Sequence, residues 1–395
     1  MSYSREYFVG FAGARDNYEV PAALAQQGTL SALVTDLYLP KIIAGALHSS
    51  GIIKSSAPRY TRYIELHQVI QVPSAFMADR YNMRKAISGQ SIIANKIKSI
   101  HLRLPDRGLF LYAGYAYEAF KSASTVPKIL FQYHPYREFE RNILREDAKK
   151  WPELSKLVDS YNTLPEDSRN IREIELADII VCASEFTATS LRGIVQGSKP
   201  IFVVPYGANN IFEQKRARLQ MPHAVKRFLF VGTGLHRKGL HILLRSWSLN
   251  RPPNSRLTLV VRNVEFDITS FIEDIRGDVD IVSNISREQL SQMYLSHDVF
   301  VLPSLVEGFG HVILEALSAG CYVISTENSC LPTLKLPSFA CAAVPASDVN
   351  ALSMAMNDAA KMELQSTRES IARVAVDFTW DNFRRTIISI ADSFG

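Results

Sequence analysis

Short apolar runs alternate with amphipathic segments along most of the chain. We interpret the apolar runs as strands at Tyr7–Ala12, Ser31–Tyr38, Leu109–Ala113, Lys128–Tyr133, Asp178–Ala183, Lys199–Pro205, Arg227–Val231, Arg256–Val261, Asp280–Val282, Asp298–Leu302 and Cys321–Thr326. Between strands, apolar residues recur at helical spacing, as at Leu240, Leu243, Leu244 and Trp247. Apolar strands separated by helices are typical of parallel sheets that are covered on both faces. The pattern therefore predicts an α/β fold.

Composition narrows the class of protein. A length of 395 residues suits two domains, and 47% hydrophobic with 21% charged residues is ordinary for a globular protein. No apolar run has transmembrane length, and Met1–Gly10 lacks a signal-peptide pattern. Four cysteines without metal-ligand spacing indicate reduced thiols, so we expect a cytoplasmic protein. The net charge of +5 is too small to indicate a nucleic acid partner.

Residues 298–326 carry the clearest chemistry. After the strand that ends at Leu302 comes the loop Glu307-Gly308-Phe309-Gly310, which we call the EGFG loop. Its glycines let the backbone approach a ligand and leave the first N–H groups of the next helix free to bind oxygen atoms. Glu315 follows two helical turns later on an otherwise apolar stretch, where a buried carboxylate needs a partner. Sugar hydroxyls are suitable partners.

This stretch resembles the signature of the family 4 (group 1) glycosyltransferases. The resemblance is carried by the EGFG loop, Glu315-Ala316, and Gly320 with the strand after it. It implies a retaining enzyme of the GT-B fold, in which two Rossmann-like domains with parallel sheets face each other across a cleft. It also implies that Glu307 and the loop amides hold the donor sugar and that Glu315 holds the ribose hydroxyls. A buried helix with one satisfied glutamate is the alternative.

A glycine-containing turn with basic residues, Gly232–Gly239, precedes a helix; we call it the basic turn. Such a turn suits a diphosphate, because helix N–H groups and cations both favour anions. Lys238-Gly239 resembles the family's phosphate-binding pair. The family usually has arginine directly after the first glycine, where this chain has Thr233. Arg237, or Arg262 after the next strand, is a candidate to supply that charge, and solvated surface residues are the alternative.

Two residues of the N-terminal half are further candidates. His134 follows the strand Lys128–Tyr133, and ligands bind at the carboxyl ends of parallel strands. Family members often have a histidine at this strand end, so the resemblance makes His134 an active-site residue together with Lys238 and Glu307. Gly13 opens the turn after the first strand, which lines the cleft in the family. A plain tight turn explains Gly13 equally well.

The resemblance also divides the chain. We expect an N-terminal acceptor-side Rossmann-like domain at residues 1–207 and a nucleotide-sugar-binding Rossmann-like domain at residues 208–375. Residues 376–395 are expected to form a helix that crosses back to the first domain, as is usual in GT-B proteins.

Residues 54–107 contain ten basic and three acidic residues with aromatic residues between them. The basic residues are Lys54, Arg59, Arg62, Arg80, Arg84, Lys85, Lys96, Lys98, Arg103 and Arg107. This segment is either a solvated helical surface or a face for anionic lipid or a phosphate-bearing acceptor, with nucleic acid the least favoured interpretation. The second alternative would give a peripheral association with the inner face of the membrane.

The predicted reaction is transfer of a hexose-type sugar from a nucleoside-diphosphate sugar to an acceptor hydroxyl, in glycan or glycolipid synthesis. The resemblance implies no cofactor and no metal. Asp278-Val279-Asp280 matches a metal-binding D-x-D of another glycosyltransferase fold, but it runs into a strand. A nucleotide-sugar epimerase or phosphorylase, a dinucleotide oxidoreductase and a catalytically silent binding protein are the alternatives. The oxidoreductase fits poorly, because Arg237 stands where G-x-G-x-x-G requires its last glycine. The base, sugar, acceptor and oligomeric state stay open.

Overall fold

The computed structural model describes residues 5–40, 43, 46, 49, 59–81, 88–163, 168–208, 225–272 and 277–394. Within these ranges the chain forms two β-sheets, and every strand pair inside both sheets is parallel. Helices accompany both sheets, as expected when strands are connected by crossovers. The predicted α/β class with two Rossmann-like parallel sheets is confirmed.

The first sheet has seven strands in the order β3-β2-β1-β4-β5-β6-β7. They are β1 (Tyr7–Gly10), β2 (Leu30–Thr35), β3 (Val69–Gln71), β4 (Gly108–Tyr112), β5 (Lys128–Gln132), β6 (Ile179–Cys182) and β7 (Ile201–Val203). Its helices are α1 (Glu19–Gln27), α2 (Pro73–Tyr81), α3 (Gly89–His101), α4 (Tyr117–Ser122), α5 (Arg137–Ala148), α6 (Ser155–Thr163), α7 (Ser168–Leu176) and α8 (Glu185–Val195).

The second sheet has six strands in the order β10-β9-β8-β11-β12-β13. They are β8 (Lys226–Gly234), β9 (Ser255–Val264), β10 (Val279–Val282), β11 (Val299–Leu302), β12 (Tyr322–Thr326) and β13 (Cys341–Val344). Its helices are α9 (Leu240–Leu249), α10 (Thr269–Ile272), α11 (Arg287–Ser296), α12 (His311–Ser318), α13 (Leu331–Leu334), α14 (Val349–Lys361) and α15 (Leu364–Val374), and α16 (Trp380–Ser393) follows. Central strands such as β11 are wholly buried, which explains their apolar sequence.

Side-chain caps lie at the N-termini of two helices. Ser184 accepts a hydrogen bond from the amide of Thr187 at the start of α8. Ser286 and Gln289 form a capping box at the start of α11. These caps satisfy N–H groups that a helix start would otherwise leave without partners.

The charged segment after β5 is divided into two helices. α5 ends at Ala148, and a short 3₁₀ turn occupies Pro152–Leu154 before α6. Pro152 lacks an N–H group and is disfavoured inside a helix, so the chain breaks before it and starts again.

The last helix, α16, packs against α1 of the first sheet. The Tyr7 hydroxyl donates to the carbonyl oxygen of Ala391 at 2.8 Å, and Arg384 forms a buried ion pair with Glu19. The predicted domain boundary near Gly207 stays a prediction, because residues 209–224 lie outside the described ranges.

The basic segment 54–107 is described only in part, since Lys54, Arg84 and Lys85 lie outside the described ranges. Arg59 pairs with Asp36 and Arg107 with Glu6, so carboxylates of the same chain neutralise part of the positive charge. Within the described ranges, no helix combines the length and apolar character needed to cross a membrane.

Candidate functional site

The EGFG loop lies directly against the N-terminal half of the chain. A Cβ atom added to Gly308 would lie 2.4 Å from the carbonyl oxygen of Tyr133 and 3.3 Å from the Cα atom of His134. The Gly308 carbonyl oxygen accepts hydrogen bonds from Ser184 Oγ at 2.5 Å and from Thr187 Oγ1 at 3.2 Å. Glycine is therefore required for this close approach, which brings the carboxyl end of β5 beside the loop after β11.

Sheet pairing brings the basic turn and the EGFG loop together. β8 and β11 are neighbours, so the segments after them start side by side. The Arg237 carbonyl oxygen accepts hydrogen bonds from the amides of Leu305 at 2.8 Å and Val306 at 3.3 Å. Gly239 has a φ of +68°, and a Cβ atom there would lie 1.9 Å from the carbonyl oxygen of Pro303. Only glycine fits at this crossing.

Glu307 lies between two cations. Its carboxylate is buried, contacts Lys238 Nζ and lies 3.6 Å from Arg237 Nη1. Burial alone would raise the pKa of Glu307, but Lys238 and Arg237 outweigh burial and lower it to about 2. The three predicted residues therefore form one charged group. That Arg237 supplies the charge of the family's missing arginine stays a prediction.

His134 faces a cavity of about 400 Å³ at the end of the first sheet. His134 Nδ1 lies 3.4 Å from Glu140 Oε2 of α5. Arg15, Arg137 and Arg169 also line this cavity, and Arg169 forms ion pairs with Glu118 and Glu173. The cavity is suited to a polar or anionic molecule.

Glu315 lines a second cavity, of about 330 Å³, together with His311, Asp16 and Arg287. The Tyr294 hydroxyl donates to Glu315 Oε2 at 3.0 Å. Burial raises the pKa of Glu315 despite that hydrogen bond and the nearby Arg287. The side chain is thus in a cleft, with one carboxylate oxygen already bonded to the protein.

A third cavity, of about 260 Å³, lies at the carboxyl ends of β8 and β9. It is lined by Thr233, Arg262, Asn284 and Ile285 among others. The Thr233 hydroxyl is buried and has no hydrogen-bond partner. A buried hydroxyl of this kind is available to a ligand that enters the cavity.

The remaining predicted residues contribute main-chain geometry. The Gly13 amide donates to Asp36 Oδ1 at 2.9 Å in a tight turn, and the next residue, Ala14, lines the Glu315 cavity. The Phe309 ring is buried against Tyr206, with ring centroids 5.1 Å apart, and belongs to the hydrophobic core. Gly310 has a φ of +90° and stands at the N-terminus of α12. Their donor-binding roles stay predictions.

Sequence reasoning missed two polar residues of the cleft, Asp16 and His311. The His311 ring stacks on Tyr206 with centroids 4.7 Å apart, and burial lowers its pKa. Burial raises the pKa of Asp16. Asp16, Asn17 and Tyr18 all have positive φ, a strained conformation that no sequence motif predicts. Only the helical spacing of His311 and Glu315, four residues apart, could have indicated that both face one cavity.

Metal-binding chemistry is limited among the described residues. Asp278 and Asp280 form exposed ion pairs with Arg251 and Arg256 at the edge strand β10 and do not join the cleft. The three-residue group with metal-ligand side chains in the described ranges is Asp147, His236 and His241, all buried.

The fold is that of the GT-B class. Over 99% of both chains, the structure matches the crystal structure of a glycosyltransferase from Rickettsia africae with a TM-score of 0.63 at 15% sequence identity. At that identity the likeness shows the fold.

Within this class, residues 211–375 match the model of the family described as Glycosyl transferases group 1. The chain is 32% identical over 106 residues to an uncharacterized glycosyltransferase of Methanocaldococcus jannaschii, covering 25% of this chain and 26% of that protein. It is 28% identical over 201 residues to a D-inositol 3-phosphate glycosyltransferase of Corynebacterium jeikeium, covering 45% of this chain and 48% of that protein. The matches thus span about a quarter to about half of these curated relatives. The predicted resemblance to the group 1 glycosyltransferases is confirmed.

Proposed function

We propose that the protein is a retaining glycosyltransferase that moves a hexose-type sugar from a nucleoside-diphosphate sugar to an acceptor hydroxyl. The observation that carries the proposal is the charged group formed by Lys238, Arg237 and Glu307, next to His134 and the N-terminus of α12. The family match over residues 211–375 supports it.

The charges of this group suit the reaction. When the bond between the anomeric carbon and the diphosphate breaks, negative charge grows on the leaving oxygen, and Lys238, Arg237 and the amides of α12 stabilise it. The acceptor oxygen bonds to the anomeric carbon on the same face and gives its proton to the departing phosphate. Glu307 orients the donor sugar. Because protein cations and helix amides stabilise the charge of the diphosphate, the proposed reaction requires no metal ion and no cofactor.

The donor would extend across two of the cavities. Glu315 would accept hydrogen bonds from the ribose hydroxyls, and the cavity of Thr233, Asn284 and Ile285 would take the base. The Thr233 hydroxyl would gain a hydrogen-bond partner in this way.

The acceptor would bind in the cavity of His134. The arginines that line it support an acceptor with an anionic group, such as a sugar phosphate or a lipid-linked sugar. The matched relative from Corynebacterium jeikeium is named for a phosphorylated acceptor, which supports the same choice. We propose that a lipid-linked acceptor would bring the protein to the inner face of the membrane in glycan or glycolipid synthesis.

A panel of nucleoside-diphosphate sugars tests the proposal. The protein should release the nucleoside diphosphate from one of them, should do so in the presence of a chelator, and should form a product whose anomeric configuration, read by NMR, equals that of the donor. An inverted product, or activity that is lost with chelator and restored by magnesium or manganese, would reject the mechanism.

The same panel separates the alternatives. An epimerase would convert the nucleotide sugar without transfer, and a phosphorylase would release sugar phosphate with inorganic phosphate. A catalytically silent binding protein would bind the nucleotide and turn over none of the panel. A dinucleotide oxidoreductase would bind NAD instead.

A further inference from the structure

A buried polar cluster links the two halves of the chain next to the basic turn. Asp147 of α5 receives hydrogen bonds at its Oδ2 atom from His236 Nε2 and His241 Nε2, both at 2.8 Å. All three side chains are almost wholly buried. Burial alone would raise the pKa of Asp147, but the hydrogen bonds hold it below its usual range. An ionised carboxylate from the N-terminal half is thus bound by two imidazoles of the second half.

His236 is fixed from three sides. Asp147 binds its Nε2 atom, the Tyr161 hydroxyl lies 3.0 Å from its Nδ1 atom, and its backbone amide donates to Glu265 Oε2 at 2.9 Å. The next two residues are Arg237 and Lys238, which contact Glu307. Contacts that fix His236 therefore constrain the backbone that carries these two cations, on which the proposed diphosphate binding depends.

Helix α5 connects this cluster to the acceptor side. Glu140, which lies 3.4 Å from His134, precedes Asp147 by seven residues, which is about two turns or roughly 10 Å along the helix. One helix thus contacts the proposed acceptor cavity near its start and the basic turn near its end.

Hydrogen bonds describe the cluster better than metal ligation. Two ligands of a tetrahedral zinc ion lie about 3.3 Å apart, because each is about 2.0 Å from the metal. The distances from Asp147 Oδ2 to the two imidazole nitrogens are 2.8 Å, the length of a charge-assisted N–H···O bond. Ser347 Oγ donates to the other carboxylate oxygen.

We propose that Asp147 is a positioning residue that, through His236, holds Arg237 and Lys238 in place for the diphosphate of the donor. The inference rests on the proposed function, since it concerns the same donor site. It assigns to a residue of the acceptor half a role in donor binding.

A double-mutant cycle on nucleotide affinity tests this. Calorimetry first measures the affinity of the native protein for UDP, GDP, ADP, CDP and dTDP. The nucleotide that binds most tightly is then titrated into Asp147→Ala, His236→Ala and the double variant. Each single variant should bind about tenfold more weakly or worse, and the double variant should be no more than about threefold weaker than either, because both act through one contact. His236→Gln places an N–H near the original Nε2 atom and should recover most of the affinity.

Glu153→Gln is the matched control. Glu153 accepts a hydrogen bond from Arg245 at 2.5 Å between the same two halves but does not contact the basic turn. The nucleotide affinity of the Glu153→Gln variant should therefore stay within about twofold of the native value. Thermal melting shows whether each variant is folded, and Asp147→Asn replaces Asp147→Ala if the latter is not.

The outcomes are distinct. Native affinity in Asp147→Ala and in Asp147→Asn, additive losses in the double variant, or no recovery with His236→Gln would overturn the inference alone. Zinc that co-purifies, with a chelator reproducing the loss, would replace hydrogen bonding by metal ligation and also overturn it. A native protein that binds none of the five nucleotides would reject the proposed function itself.

Discussion

At the scale of the residue, the cleft is dominated by the charge balance at Glu307. One buried carboxylate has two cations beside it, so the group carries a net positive charge before any ligand binds. A diphosphate competes with Glu307 for the same cations, and a released Glu307 can then accept hydrogen bonds from sugar hydroxyls. The residue thus links donor arrival to donor orientation in the proposed function.

We predict that Lys238→Met destabilises the protein in a pH-dependent way. The pKa of Glu307 lies at about 2, below the ordinary value of 4.5, so its ion pairs stabilise the fold above pH 4.5 and lose this effect as the pH falls toward 2. The full shift corresponds to about 3 kcal/mol after the opposing effect of burial, and Lys238 lowers the pKa more than Arg237 does. Urea unfolding at pH 7, 4 and 3 should show a difference between native protein and variant that shrinks with acidity. A difference that is constant with pH would contradict the assignment.

Glu315→Gln should weaken nucleotide binding about tenfold or more. The amide keeps the shape of the side chain but loses charged acceptance of ribose hydroxyl protons, typically about 1.5–3 kcal/mol per bond. Calorimetry with the nucleoside diphosphate that the native protein prefers measures the change. Glu288→Gln, on the exposed face of the nearby α11, is the control and should bind as the native protein does. Equal nucleotide affinity in both variants would reject the assignment of Glu315 to the ribose site.

At the scale of the element, the sequence predicts those features of helices, strands and turns that depend on residues close together in the chain. The strands around the EGFG loop, the caps of α8 and α11 and the glycines of the basic turn follow from hydrophobic period, capping and turn chemistry. The contact of Asp147 with His236 joins residues 89 positions apart, and no periodicity encodes such a pair. The left-handed conformation of Asp16, Asn17 and Tyr18 is equally unpredictable from the sequence, because tertiary packing imposes it against the local preference of these residues.

Gly308→Ala should impair the proposed sugar transfer. The added methyl group would lie 2.4 Å from the carbonyl oxygen of Tyr133, so the EGFG loop must move away from His134. We expect at least about a tenfold loss in the rate of nucleotide-sugar turnover, since small misplacements of reacting groups are costly. Gly193→Ala in α8 is the matched control: nothing lies within 4 Å of its added methyl group, and alanine favours a helix by about 1 kcal/mol. Normal turnover in Gly308→Ala would show that the loop tolerates displacement.

At the scale of the whole molecule, polar contacts between the halves sit at both sides of the cleft. Ser184 and Thr187 hold Gly308 at one place, and Asp147 holds His236 at another. Helix α16 adds a third connection through Arg384 and Glu19. The EGFG loop and the basic turn therefore both contact the N-terminal half of the chain. We infer that a donor must bind with these contacts in place for the charged group to meet its diphosphate.

The surface of the N-terminal half leads to a prediction about membranes. Leu102 and Leu104 are 60% and 45% exposed on the turn after α3, with the exposed Arg103 between them. Apolar side chains beside basic ones are typical of surfaces that bind anionic lipid, where each basic residue contributes up to about 1 kcal/mol and salt screens it. The protein should therefore bind vesicles rich in phosphatidylglycerol at low salt and more weakly at high salt.

Two variants separate the apolar part of this binding from the charge. Leu102→Ser with Leu104→Ser should weaken vesicle binding at every salt concentration, because burial of each leucine in the interface is worth about 1.5 kcal/mol or more and is not screened. Leu249→Ser, which changes a leucine that is 58% exposed at the end of α9, should bind as the native protein does. If the native protein ignores anionic vesicles even at low salt, membrane association is rejected, and the acceptor of the proposed reaction is then a soluble sugar or sugar phosphate.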